Sequence, residues 1–451
     1  MISGLNLLNN MELDLSKIKH VHFIGIGGIG ISAIARMMLH EGKKVSGQDM
    51  QDSEIASDLR KAGADIVIGQ SFENIPSDVD LIVYTIAVES YDNTLYKKIK
   101  EGSVSNLSYP EMLSVVTKGK YTVAISGTHG KTTTTAMIAQ ILRDAKKDPT
   151  VVVGSLLIGD NSNFIAGESK YFVVEACEYK RSFLNINPNI LVITNIDEDH
   201  LDYYKDIEDI KSAFRELAMK VPSDGFVICN PHDKNIKDVI SGIKAKVLNY
   251  NEFFNPDLKL KIPGIHNKKN AAAAFMVASV LAISYTDIND SLSKFLGTWR
   301  RFQYKGKLDS GVLIYDDYAH HPAEIMATLE GFREFYPHED GWRITVIFQP
   351  HLFSRTKLLL KDFAQSFNKS DKVMILPIYY AREEDDGTMS SEILAKEIHM
   401  NNPNTESFID FPSAENHIKS ELGRMNNKDI IVTMGAGEAF RIGDNLLQDS
   451  N

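Results

Sequence analysis

Short apolar runs alternate with stretches whose apolar residues recur at helical spacing, and this alternation runs through most of the chain. His20 to Ile26 reads as a strand, Ile29 to Glu41 as a helix and Lys44 to Gln48 as a strand, with glycines at the first turn. Apolar runs at Ile66 to Ile68 and Leu81 to Tyr84 continue the pattern, which predicts a parallel sheet flanked by helices and ending near Lys118.

A second βα unit opens at Tyr121 to Ser126 and passes another glycine-rich loop into a helix over Thr132 to Lys146. Phe172 to Glu175, Ile190 to Thr194 and Phe226 to Cys229 are short, apolar and bounded by turn residues, as strands buried on both faces are. The alanine-rich segment Asn270 to Ala282 predicts a helix, and Gly297 to Gly306, with turn residues and three basic groups, marks a boundary. The last third starts with a strand, Val312 to Tyr315, and repeats at Ile344 to Phe348, Lys372 to Leu376 and Asp429 to Thr433. The expected fold is α/β in three successive domains, residues 1–118, 119–302 and 303–451, in line with about 150 residues per domain.

Composition narrows the class. With 43% hydrophobic and 24% charged residues the chain is an ordinary globular protein, which excludes disordered and fibrous classes. No apolar run approaches the roughly 18 residues of a membrane span, and Met1 to Lys19 lacks a basic flank before an apolar stretch, so a cytoplasmic chain without a membrane partner is expected. A net charge of -11 excludes a general nucleic-acid surface, so a phosphate-bearing ligand must be held by local groups. The two cysteines, Cys177 and Cys229, lack metal-site spacing and read as thiols in a reducing compartment. Monomer and homodimer both remain open.

Two glycine loops carry the chemistry. Gly25-Ile26-Gly27-Gly28-Ile29-Gly30 follows a strand, opens a helix and has Asp49 nineteen residues after its last glycine, the dinucleotide fingerprint. By pattern alone this is an NAD-dependent dehydrogenase. Physically, glycines admit backbone amides to any nucleotide diphosphate at a helix N-terminus, and they also permit close packing of strand on helix.

Gly127-Thr128-His129-Gly130-Lys131-Thr132 is a variant phosphate loop, because the position of its first expected glycine holds Ile125. Lys131 can reach β and γ phosphates and Thr132 can offer a hydroxyl to Mg²⁺. Glu175, at the end of one strand, and His200, in the acidic segment Asp197-Glu198-Asp199-His200 after another, are candidates to complete the metal site. Taken singly, Glu175 could instead cap a helix and the acidic run could be a solvated loop.

In order along the chain, Gly127 to Thr135, Asn195 to His200, His266-Asn267 with Asn270, and Asp316-Asp317-Tyr318-Ala319-His320-His321-Pro322 resemble the motifs of the Mur ligases, and the resemblance covers nearly the whole chain. Phe348-Gln349-Pro350-His351-Leu352-Phe353-Ser354-Arg355-Thr356 and Tyr380-Ala381-Arg382-Glu383 are similar to motifs of members that add L-alanine. The resemblance implies a Rossmann-like N-terminal domain for a UDP substrate, a central P-loop ATPase-type domain and a Rossmann-like C-terminal domain. It implies an ATP-dependent ligase of peptidoglycan precursor synthesis that uses Mg²⁺ or Mn²⁺ and joins L-alanine to UDP-N-acetylmuramate through an acyl phosphate.

The first loop's ligand then becomes the diphosphate of UDP, at Gly27, Gly28 and Gly30, with Asp49, Thr85 and Ala87 as neighbours. Gly127, Thr128, His129, Gly130, Lys131, Thr132 and Thr133 would bind ATP phosphates, and Thr132, Glu175 and His200 the metal. His266, Asn267 and Asn270 match the adenine and ribose segment, Arg301 a nucleotide-side arginine, and Asp317 a carboxylate facing ATP. Tyr318, His320, His351 and Arg355 match positions around the acceptor and amino acid, and His200 or His320 would take the amine proton. In extended backbone His320 and His321 point oppositely, so one of them is structural. Where many members have Glu-Ala-Asp-Glu-Ser, this chain has Glu175-Ala176-Cys177-Glu178-Tyr179, which also resembles the recycling ligase that attaches L-alanyl-D-glutamyl-diaminopimelate.

Overall fold

The computed structural model describes residues 13–449 except 381, 382, 384 and 386. Ala381 and Arg382 of the Tyr380 to Glu383 motif therefore lie outside the described residues. Among the described residues no helix is long and apolar enough to cross a membrane.

Three sheets carry the chain. The first contains β1 (His20–Ile24), β2 (Lys44–Asp49), β3 (Asp65–Ile68), β4 (Leu81–Tyr84) and β5 (Ser105–Ser108), all parallel, in the order β3-β2-β1-β4-β5. The second contains β6 (Tyr121–Ser126), β7 (Thr150–Leu157), β8 (Ser162–Ile165), β9 (Tyr171–Glu175), β10 (Ile190–Ile193), β11 (Phe226–Cys229) and β12 (Lys246–Asn249). Their order is β12-β11-β10-β6-β9-β7-β8. The third contains β13 (Gln303–Lys307), β14 (Leu313–Asp317), β15 (Arg343–Phe348), β16 (Lys372–Ile375), β17 (Thr405–Ser407) and β18 (Asp429–Met434), ordered β13-β14-β18-β15-β16-β17. Only its edge strand β13 breaks the expected parallel pattern, pairing antiparallel to β14 with a bulge between Tyr304 and Gly306.

The backbone forms two compact units, each with its own core. One comprises Met1–Leu156, Asp160–Tyr250 and Met276–Ile283, and thus holds the first two sheets. The other comprises Leu157–Gly159, Asn251–Phe275 and Ser284–Asn451. Asn251–Phe275 belongs to the unit of the last sheet although it precedes the boundary expected at 302.

In the first unit, strand order reverses beside β1 and beside β6, and open α/β sheets build their ligand crevices at such reversals, outside the carboxyl ends of the strands. Both glycine loops leave there. The helix Ile29–His40, which opens at the first loop, is tied to the second sheet by the fully buried Asn163 of β8, whose amide donates to the Ile29 carbonyl and to Ser32 Oγ at 2.8 Å.

β1 is buried along its whole length, yet one face is polar. The Gln48 amide donates to His22 Nε2 (3.1 Å), so His22 Nδ1 donates to Ser46 Oγ (2.8 Å), and the Ser46 hydroxyl donates to His20 Nε2 (2.8 Å). His20 Nδ1 faces Asp78 at 3.1 Å. Burial, then the neighbouring His20, lowers His22 to about 4, which keeps it neutral as this chain of donors requires.

Candidate functional site

Most long helices of the first unit are capped by a side chain, for example Ser53 on Ala56, Ser108 on Glu111 and Asp206 on Asp209. The two helices that follow the glycine loops, Ile29–His40 and Lys131–Asp144, have glycine N-caps and no side-chain cap. Their first-turn amides and the positive end of the helix dipole face whatever anion arrives.

In the first loop Gly25 has φ +75°, and a Cβ there would come 2.7 Å from Thr85 Cγ2, so Thr85 lies against the turn. The Ala87 amide donates to Thr85 Oγ1 at 3.4 Å. Asp49 is spent on the loop itself, since Oδ2 accepts the Gly27 amide at 2.8 Å and Oδ1 the Gln51 amide at 3.3 Å. The ribose-binding acid of a dehydrogenase is here a brace for the glycine turn.

The second loop is gripped from β10. The Thr128 amide donates to the Asn195 carbonyl (3.1 Å) and the His129 amide to Asn195 Oδ1 (2.9 Å), while Thr194 Oγ1 and Asn195 Nδ2 both donate to the His129 carbonyl. Gly127, at φ +134°, leaves the space that Thr194 Oγ1 fills. Gly130 at φ +83° then turns the chain into the helix.

Around this loop the structure brings together Lys131, Thr132, Glu175 and His200, all named from the sequence. Thr132 Oγ1 donates to Glu175 Oε1 at 3.1 Å, and Glu175 Oε2 accepts the Gly154 amide at 2.8 Å. Lys131 Nζ donates to the carbonyls of Gly127 (2.5 Å) and Thr128 (3.1 Å) and to Glu178 Oε1 (2.9 Å). His200 Nε2 lies 3.5 Å from the same Glu178 oxygen, and its backbone is held at φ +54°, a sparsely populated region for histidine.

Sequence reasoning gave Glu178 no role. Its side chain is 3% exposed, Oε2 has no hydrogen-bond partner among the described residues, and together with Asp199 and His200 it offers atoms within 4.8 Å of one another that could hold a metal. Burial raises its pKa, but Lys131 first and His200 next outweigh that and leave it below the ordinary carboxylate value. Burial opposes the charge on Lys131, and Glu178 restores it, so the ammonium titrates above the usual lysine range. Two acids three residues apart after a strand were the only signal in the sequence. Beside them lies Cys177, which is exposed.

The second unit carries its own cluster. Arg301 lies over the Tyr318 ring at 5.2 Å and 3.7 Å from Glu324, and the rings of Tyr318 and His320 are 5.4 Å apart. The His320 ring is 5.8 Å from that of His351, whose Nδ1 is 3.2 Å from Arg355. His321 turns away and caps the helix Pro322–Phe335, accepting the Ala323 amide at 3.3 Å, which makes it the structural member of the pair.

For Asp317 the sequence suggests a carboxylate facing ATP. It is buried and accepts the amides of Phe302 (2.7 Å) and Ala319 (2.8 Å) and the Thr328 hydroxyl (3.2 Å), while burial pushes its pKa up to about 6 against the pull of Arg301. Its neighbour Asp316 binds the buried Arg300, which also donates to the Gly435 and Gly437 carbonyls. Asn267 and Asn270, at the start of the helix Ile265–Val280, are buried too, and the Asn267 amide donates to the Pro263 carbonyl at 2.6 Å. His266 lies against Gly264, whose φ is +96°.

Family models match residues 20–121 (Mur ligase family, catalytic domain), 125–256 (Mur ligase middle domain) and 300–437 (Mur ligase, glutamate ligase domain). The chain is 41% identical to a UDP-N-acetylmuramate–L-alanine ligase of Clostridium kluyveri, an alignment that covers 96% of this chain and 99% of that protein. It is 42% identical to the ligase of the same name from Caldanaerobacter subterraneus subsp. tengcongensis, over 98% of this chain and all of that one. Among solved structures, UDP-N-acetylmuramate-alanine ligase of Thermotoga maritima superposes with a TM-score of 0.79 at 26% identity, covering 95% of this chain and 98% of that one. A murein peptide ligase of Psychrobacter arcticus shares the fold, with a TM-score of 0.71 at 24% identity over 95% and 98% of the two chains.

Proposed function

This chain belongs to the Mur ligase family, and on that premise we propose how it works as an ATP-dependent ligase that joins L-alanine to the lactyl carboxylate of UDP-N-acetylmuramate. The observation that carries the reading is the loop at Lys131, where a lysine, a threonine hydroxyl, two carboxylates and a histidine surround the N-terminus of a helix that no side chain caps.

The lactyl carboxylate attacks the γ phosphorus of ATP, ADP leaves, and an acyl phosphate forms. Lys131 and the first-turn amides stabilise the charge that develops on the phosphate oxygens. The neutral amine of L-alanine then adds to the acyl carbon, phosphate departs, and the nitrogen loses a proton to leave the amide. His320 and His200 are the candidate acceptors of that proton.

Thr132, Glu175 and His200 would hold Mg²⁺. The residues present fit a hard cation: Glu175 and Thr132 already present oxygens to each other, and Glu178 adds one that no described residue satisfies. When bound, the ion supplies positive charge to the phosphate oxygens. We assign Gly27, Gly28 and Gly30, with Asp49, Thr85 and Ala87 around them, to the UDP end, His266, Asn267 and Asn270 to the nucleoside of ATP, and Tyr318, His320, His351 and Arg355 to the amino acid. Residues 1–118, 119–302 and 303–451 are the corresponding domains, working in the cytoplasm, where ATP and UDP-linked precursors occur together.

Phosphate release from ATP, Mg²⁺ and UDP-N-acetylmuramate, measured with each of several amino acids and with L-alanyl-D-glutamyl-diaminopimelate, tests this. L-Alanine should be preferred. Preference for the tripeptide would move the reading to the recycling ligase, and release with none of the acceptors would remove the ligase reading altogether.

A further inference from the structure

The reaction requires one substrate to reach from the first glycine loop to the second, and one residue set against the first loop opens a helix that packs beside the second loop's cluster. Strand β5 ends at Ser108, so the next residue emerges at the carboxyl end of the first sheet, where the first loop also lies. There Ser108 and Glu111 form a reciprocal capping box, the Ser108 amide donating to Glu111 Oε2 at 2.6 Å, and Tyr109 is fixed as the first residue of the helix Tyr109–Thr117. A Cβ on Gly30 would come 2.8 Å from Tyr109 Cζ and 3.0 Å from its hydroxyl oxygen, so the third glycine of the fingerprint is what admits this ring. On the other side, the helix that Tyr109 opens packs against Tyr179–Asn185, the segment that follows Glu175, Cys177 and Glu178 of the phosphate-loop cluster.

We propose that Tyr109 is a substrate-binding residue whose hydroxyl donates a hydrogen bond to the sugar–lactyl part of UDP-N-acetylmuramate as it passes from the first glycine loop to the phosphate loop. The inference rests on the function proposed above. A phenol keeps its proton throughout the neutral range, so it is a donor there. A neutral donor suits the place. The lactyl carboxylate must be oriented and still act as a nucleophile, and an ammonium or guanidinium there would withdraw more of its charge than a phenol does. The distance to be spanned is also set, because Asn163 ties the helix that begins at Gly30's loop to the second sheet.

The test is titration calorimetry of wild type, Tyr109→Phe and Gly30→Ala with UDP and with UDP-N-acetylmuramate, together with steady-state kinetics. Tyr109→Phe should bind UDP as wild type does and bind UDP-N-acetylmuramate roughly 10-fold more weakly, the loss of one hydrogen bond to a charged or strongly polar group. Its KM for ATP should not change. Gly30→Ala, which displaces the ring, should weaken both ligands. Equal affinities of Tyr109→Phe and wild type for UDP-N-acetylmuramate, or equal losses for UDP and the sugar substrate, would overturn the assignment. A wild-type protein that binds UDP-N-acetylmuramate and releases phosphate, with Tyr109→Phe unaltered, would sink the role of Tyr109 alone; wild type that does neither would sink the ligase reading instead.

Discussion

The two glycine loops open on the same construction, a buried parallel strand feeding an uncapped helix through glycines, yet they differ in what surrounds them. The first matches its sequence fingerprint fully, and its acid, Asp49, is consumed in holding Gly27. The second lacks the first glycine of its pattern, and charged groups converge on it: Lys131 with Glu178, Thr132 with Glu175, His200 behind them. Glycines make room for a phosphate, but the partners of the loop decide whether a phosphate is merely held or transferred.

Substitutions can break this contrast. Lys131→Ala has the largest expected effect: phosphate release should fall by at least about 10³-fold, since the positioned charge is the main catalytic term, while UDP-N-acetylmuramate still binds in calorimetry. Equal loss of both would mean that the loops are not separate sites. Glu178→Ala comes next. It leaves the half-buried Lys131 without its counter-charge, and since removing one partner of a fully buried pair costs about 3–5 kcal/mol, the thermal midpoint should drop by a few degrees, with Glu178→Gln recovering part of it by keeping the hydrogen bond. An unchanged midpoint in Glu178→Ala would show the pair to be energetically idle. Asp49→Asn is the smallest. One oxygen still can accept the Gly27 amide, so UDP affinity should fall by no more than about 5-fold, the cost of trading a charged acceptor for a neutral one. A complete loss would mean that Asp49 touches the ligand itself.

Much of this was legible in the sequence because buried parallel strands are short apolar runs. Leu81–Tyr84, Tyr121–Ser126 and Phe226–Cys229 fall where the apolar pattern puts them, and the helix after each glycine loop begins within a residue of its expected start. Ser105–Ser108, Lys246–Asn249 and Thr405–Ser407 were missed, since they are edge strands with polar residues and no contrast with the loops beside them. The polar face of β1 was hidden for another reason. His20, His22, Ser46 and Gln48 satisfy one another only once β1 and β2 pair in register, so each looks surface-bound when read alone. In the site, motif residues such as Lys131, Glu175 and His200 could be named from their order. Glu178 could not, because its role depends on being folded back against Lys131 from 47 residues away.

Asn163 carries a lesson for anyone who would treat the domains as interchangeable parts. Its amide grips the Ile29 carbonyl and Ser32 on a helix 131 residues earlier in the chain. A chimaera that exchanges only residues 1–118 with a relative would inherit a foreign helix beneath that amide, and a fragment ending at 118 would expose the apolar flank that β8 now covers. The unit of exchange is the first sheet together with the strand Ser162–Ile165 that holds it, so a transplant of substrate preference must carry both sides of that clasp.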